Sequence, residues 1–150
     1  MLFLSFRGEL SRQYRINKML IEEKSLMPAA FSLSVFNAPA ALASMAFGLK
    51  GGYSALYPGG NSFAAGLAAA EAALPYGASG ELIFVYADEE VPPEYQAVFQ
   101  ASCPPLAFGF VLSRESRGAG VPLSVLKRGE DGPEDFFRRF LLYRRANVSS

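Results

Sequence analysis

The chain has 150 residues, 51% apolar and only 19% charged, with 14 Lys and Arg balanced by 14 Asp and Glu. This length and apolar content suit one folded domain with a real core, and the missing basic excess argues against nucleic-acid binding. There is no histidine and a single cysteine, which excludes a disulfide scaffold and any chemistry that needs the chain's own imidazole.

In chain order, Leu2 to Phe6 is an apolar run that predicts a buried strand. Gly8 to Lys24 predicts an amphipathic helix, with Leu10, Tyr14 and Ile21 inward and Arg12, Arg15, Glu22 and Glu23 outward. Pro28 is expected to end that unit. Asn37 is the expected N-cap of a second helix, Ala38 to Phe47, with Pro39 in its first turn and Gly48 closing it. Tyr53 to Tyr57 is compatible with a strand. Pro58-Gly59-Gly60 predicts a tight turn, and Asn61 or Ser62 caps a third helix to about Leu74. The small side chains of that helix predict packing on several sides.

Pro75 to Gly80 reads as a turn. Leu82 to Tyr86 is the clearest strand, bounded by Gly80 and by Asp88-Glu89-Glu90. Tyr95 to Phe99 predicts a short helical turn, and Leu106 to Leu112 a further strand. Val121 to Leu126 is expected as an edge strand, because Pro122 cannot donate to a ladder. Asp131-Gly132-Pro133 opens a final helix to about Arg145, with Phe136, Phe137, Phe140 and Leu141 facing inward and the arginines outward. Strands alternating with helices indicate an α/β class over residues 1–150 as one domain.

Charge is unevenly placed. From Ser25 to Ser113 the only basic residue is Lys50. The centre therefore reads as interior or interface, and the ends as solvated. Pro28 to Leu49 and Gly51 to Ala70 are long enough to span a bilayer. Ser32, Ser34, Asn37, Pro39 and Ser44 interrupt the first, and Pro58 to Ser62 break the second. No membrane span is expected. Met1 to Phe6 is too short for a signal segment, so a cytoplasmic setting with reduced Cys103 is expected.

Each candidate for chemistry has a plain structural alternative. Cys103 precedes two prolines and has no cation near it in sequence, so a small structural cysteine is favoured over a thiolate nucleophile. Gly59-Gly60-Asn61-Ser62 lies between a strand and a helix, the geometry of an anion site or of a nucleophile elbow. Ser62 without a histidine is a poor nucleophile, and a simple turn is favoured. Asp88-Glu89-Glu90 reads as a solvated loop rather than a metal site. The acids at the start of the last helix and the arginines towards its end suit the helix dipole without a ligand. No metal and no cofactor are expected.

Pro28-x-x-Phe31-Ser32-Leu33-Ser34-Val35-Phe36-Asn37-Ala38, then Gly48-Leu49-Lys50-Gly51, a strand, a tight turn and an alanine-rich helix resemble the N-terminal half of β-ketoacyl synthases. Ser5-Phe6-Arg7-Gly8-Glu9-Leu10, Phe63-Ala64-Ala65 and Val85-Tyr86-Ala87-Asp88-Glu89 followed by Pro93-Glu94-Tyr95 extend the likeness. It covers about residues 3 to 113 and is nearest to the divergent chain-length-factor group.

The resemblance implies a thiolase-like fold, here part of its N-terminal half: a mixed sheet packed by helices, with the alanine-rich helix buried. It places the family's acyl-accepting cysteine at Gly60 or Asn61, where no cysteine stands. The family's two histidines belong to a C-terminal half. So the resemblance implies a chain without the condensing groups, with Phe36, Asn37, Ser62 and Phe63 near a vestigial pocket or tunnel. It also implies pairing through the strand Tyr53, Ser54, Ala55, Leu56 and Tyr57. The expected partner is an active ketosynthase, with acyl carrier protein as a further one, in fatty-acid or polyketide-like synthesis of the aryl-polyene type. Leu2 to Phe6 corresponds to a middle strand of the family's first half, so a partial fold with exposed apolar surface and self-association or a partner is expected. The rival readings are a small hydrolase using Ser62 and a degenerate structural fragment.

Overall fold

A computed structural model describes residues 1–25, 27–74, 80–99, 104–115, 120–129 and 131–148. Cys103 and the turn expected after Leu74 lie outside these residues. Four strands form one mixed sheet: β1 (Leu2–Leu4), β2 (Ser54–Leu56), β3 (Glu81–Asp88) and β4 (Leu106–Ser113), in the order β2-β1-β3-β4. β1 runs parallel to both of its neighbours, and β3 pairs antiparallel with β4 from Glu81↔Ser113 to Asp88↔Leu106.

The helices are α1 (Leu10–Glu22), α2 (Pro28–Ser32), α3 (Ala38–Ala46), α4 (Phe63–Ala72), α5 (Gln96–Phe99), α6 (Leu123–Leu126) and α7 (Pro133–Val148). Short 3₁₀ turns at Gly59–Asn61 and Pro93–Tyr95 precede α4 and α5.

Alternation along the strands sorts the sheet's two faces. Leu2, Leu4, Phe84, Tyr86, Phe108 and Leu112 form the core face, and Phe63, Leu67, Ala70, Leu74, Leu126 and Phe136 pack on it. On α4 the buried positions are Phe63, Gly66, Leu67 and Ala70, a helical i, i+3, i+4, i+7 stripe. Gly66 is required there: a Cβ would lie 2.4 Å from Cδ2 of Leu4, which is fully buried. The small side chains thus serve one close approach to β1. Ala65 and Ala68 on the other side of α4 are exposed, so packing on several sides is not seen within the described residues.

Four local expectations are corrected. Val121 to Leu126 is not a strand: Pro122 precedes the single turn of α6, whose Lys127 N–H bonds the Leu123 carbonyl, and Leu126 is buried. Proline's fixed φ opens a helical turn as readily as an edge strand. Pro28 starts α2 rather than only closing the preceding unit. Ile21 is exposed, because α1 buries only Ile16 fully. Leu141 is exposed as well, since α7 turns Phe136, Phe137 and Phe140 towards the core instead.

The uncharged stretch across α2 and α3 is more solvated than its composition suggests. Ala38 and Ala40 are buried, whereas Phe31, Val35, Phe36 and Leu42 are exposed, Met45 is 71% exposed and Phe47 78%. Within the described residues this stretch is therefore not interior.

Candidate functional site

The site is assembled where β2, the α2–α3 connection and the Ser5–Gly8 turn meet. β2 is a sheet edge. The Ser54 N–H bonds the Met1 carbonyl and the Ser5 N–H bonds the Leu56 carbonyl. Alternation therefore turns the N–H and C=O of Ala55 to the outer side, where no strand pairs among the described residues. Tyr53 and Tyr57 flank this edge.

Phe36 and Tyr57 form a ring pair with centroids 4.8 Å apart, and the Tyr57 hydroxyl donates to the Phe36 carbonyl. Asn37 does not cap α3 with its side chain; its Nδ2 donates to the Tyr53 hydroxyl at 3.5 Å. So Phe36, Asn37, Tyr53 and Tyr57, separated by up to 21 positions, share one patch beside the edge. Gly8 seats this patch. Its φ is +59°, and a Cβ would stand 2.9 Å from Cε1 of Tyr57.

Burial first, then the charges of Glu9 and Asp88, push the Tyr57 hydroxyl up from its usual 10 to about 12. A raised acid pKa favours the neutral phenol in the folded state. Its contribution is therefore complete below pH 10 and is lost as pH rises through about 12. Tyr57→Phe is expected to flatten the fall of melting temperature across that alkaline window, measured by circular dichroism against wild type.

The next segment carries Gly60, Asn61, Ser62 and Phe63. Gly60 has φ +68° in the 3₁₀ turn, and the Asn61 backbone completes that turn. Ser62 is the N-cap of α4: its hydroxyl accepts from the Ala65 N–H at 3.2 Å. That contact gives Ser62 a helix-capping role and brings no base to it. Phe63 packs in the core of the described residues. It is 2% exposed and meets Phe84, Tyr86, Phe108 and Phe136 at 5.2–6.1 Å between centroids. The void beside it measures about 20 Å³.

One residue behaves differently from its sequence context. Asp88 is not part of a solvated acidic loop but 6% exposed at the end of β3. Its Oδ1 accepts from the Ser5 hydroxyl and from the N–H groups of Phe6 at 3.0 Å and Arg7 at 3.1 Å. Its Oδ2 accepts from the Tyr86 hydroxyl at 2.6 Å, and Arg7 Nε stands 4.0 Å away. The Ser5 hydroxyl in turn accepts from the Gly8 N–H at 2.8 Å. Asp88 thus shapes the turn that holds Gly8 against Tyr57. The period-two series Phe84, Tyr86, Asp88 carried the signal: all three face inward.

Residues 1–132 match the family described as β-ketoacyl synthase, N-terminal domain. The chain belongs to that family. A solved structure from Xenorhabdus doucetiae, a ketosynthase (ApeO) in complex with its chain length factor (ApeC), is similar at 26% identity and a TM-score of 0.66. The similarity covers 77% of this chain and 49% of that one, so this chain spans about half its length. No curated protein matches the chain. The mixed sheet packed by helices is thus a thiolase-like, ketosynthase-type α/β fold, and no helix among the described residues is long and apolar enough to cross a membrane. Within this family member the turn before α4 reads Gly59-Gly60-Asn61-Ser62 and offers no thiol.

Proposed function

We propose that the chain is a non-catalytic, chain-length-factor type partner of an active β-ketoacyl synthase in fatty-acid or polyketide-like synthesis of the aryl-polyene type. The observation that carries this reading is a sheet edge left open among the described residues, beside a turn that offers no thiol. The outward N–H and C=O of Ala55 lie beside the Phe36–Tyr57 patch, and the turn before α4 lacks a thiol. A decarboxylative condensation needs a thiolate to carry the acyl group and donors for the developing oxyanion. The likeness to a ketosynthase held in complex with its chain length factor supports the same assignment.

In this reading β2 and the exposed apolar side of α3 cover the partner, and Phe36 and Asn37 border the shared acyl cavity. Acyl carrier protein meets the assembled pair, in the cytoplasm. Co-expression with a ketosynthase from the same gene neighbourhood tests the assignment. A stable complex is expected by native mass spectrometry. Phe47→Arg, at a 78% exposed position, is expected to abolish it without changing the melting temperature. A chain that never retains the synthase, or a complex indifferent to Phe47→Arg, would sink the assignment.

A further inference from the structure

A cleft lies at the Asp88–Leu106 end of the sheet, where Phe3, Ala87 and Ala107 turn away from the core face. It measures about 500 Å³, within the range of real binding clefts. Phe3, Pro39, Ala87, Pro105, Leu106 and Ala107 make its apolar walls. Every charged residue that lines it is acidic: Glu9, Asp88, Glu89 and Glu90. Glu9 is held by Arg12 at 2.7 Å, and Asp88 by the turn described above. Arg7 reaches the Glu89 carbonyl at 2.7 Å. The carboxylates of Glu89 and Glu90 stand at the exposed rim. Arg7 and Arg12 offset Asp88 and Glu9, which leaves the charge of the rim to Glu89 and Glu90.

The complementary surface is on α7. Its inner side packs Phe136 against Phe63, Phe108 and Phe110. Its outer side carries Arg138, Leu141, Leu142 and Arg145, all exposed, with Leu142 58% exposed. The spacing i, i+3, i+4, i+7 puts them on one stripe: two leucines between two arginines. An amphipathic helix with such a stripe fits an apolar groove with an acidic rim.

The two surfaces do not meet within one chain, because the stripe is on the side of α7 turned away from the sheet. We propose that the outer stripe of α7 docks into the Phe3 cleft of a second copy of this chain, with the leucines on the apolar walls and Arg138 and Arg145 against Glu89 and Glu90. The contact joins two different surfaces, so each contact leaves a stripe and a cleft open, and these close the pair reciprocally or extend it into rings or chains. It does not depend on ketosynthase pairing, which uses the β2 edge.

Charge exchange tests it. Sedimentation of the purified chain is expected to show concentration-dependent association that weakens as salt rises. Glu89→Lys with Glu90→Lys, and separately Arg138→Glu with Arg145→Glu, are each expected to weaken association by at least about tenfold. Mixing the two double variants is expected to restore it, because each then supplies the other's complement. Leu142→Asp tests the apolar part and is expected to leave the chain monomeric with its melting curve intact. A chain that stays monomeric while still binding a ketosynthase overturns the inference. So does association that ignores both charge exchanges, or folded double variants that fail to recover on mixing.

Discussion

Phe63→Ala is expected to lower folding stability by about 3–5 kcal/mol, measured by urea denaturation. Phe63 is the first residue of α4, and its ring is the point where α4, β3, β4 and α7 meet. Truncation removes the transfer free energy of a buried ring. It also leaves a cavity that four neighbouring rings cannot close without moving. Phe63→Leu keeps most of the volume and is expected to lose less than half as much. A loss under about 1 kcal/mol for Phe63→Ala would show that the ring is not packed as described. The same geometry bears on any effect of Phe63 on acyl chain length. Such an effect would have to be read with Phe63→Leu, whose smaller loss keeps the core folded, since a collapsed core alters every surface at once.

Asp88→Ala is the second large effect, about 3–5 kcal/mol. The carboxylate satisfies two hydroxyls and two backbone N–H groups at the Ser5–Gly8 turn. Each buried donor left without an acceptor costs about 1–3 kcal/mol. Asp88→Asn keeps one acceptor oxygen and is expected to fall between the two. The turn also seats Tyr57, so Asp88→Ala is expected to bring the Tyr57 ionisation back towards its usual range in an ultraviolet titration. If stability falls while that ionisation stays put, Asp88 supports β3 alone and does not shape the patch beside β2.

Much of the frame was legible in the residues. β3 and β4 are uninterrupted apolar runs between breakers, and α3 and α4 begin where Asn37 and Ser62 stand. Pro58-Gly59-Gly60 marked the turn before α4, and Tyr53 to Tyr57 the strand beside it. What stayed hidden depends on distant chain segments meeting. Asp88 looks like the first member of a soluble acidic run, and only the arrival of Ser5, 83 positions away, makes its burial favourable. Val121 to Leu126 has the composition of a strand, but its Leu126 finds the α7 side of the core only by turning once as a helix. Apolar content did not foretell the exposure of α2 and α3, because hydrophobic composition alone does not fix burial.

The register of β1 has a kinetic consequence. Phe3 lies beside Ala55 and Val85, partners 52 and 82 positions later. The central strand of the sheet can therefore be fixed only after two long loops have closed, a slow and entropically costly step. β3 and β4 are closer in the chain and are the natural early pair. Until β1 is captured, β2 has no neighbour to hold it among the described strands. A ribosome-bound chain passes through that stage while β3 is still being made.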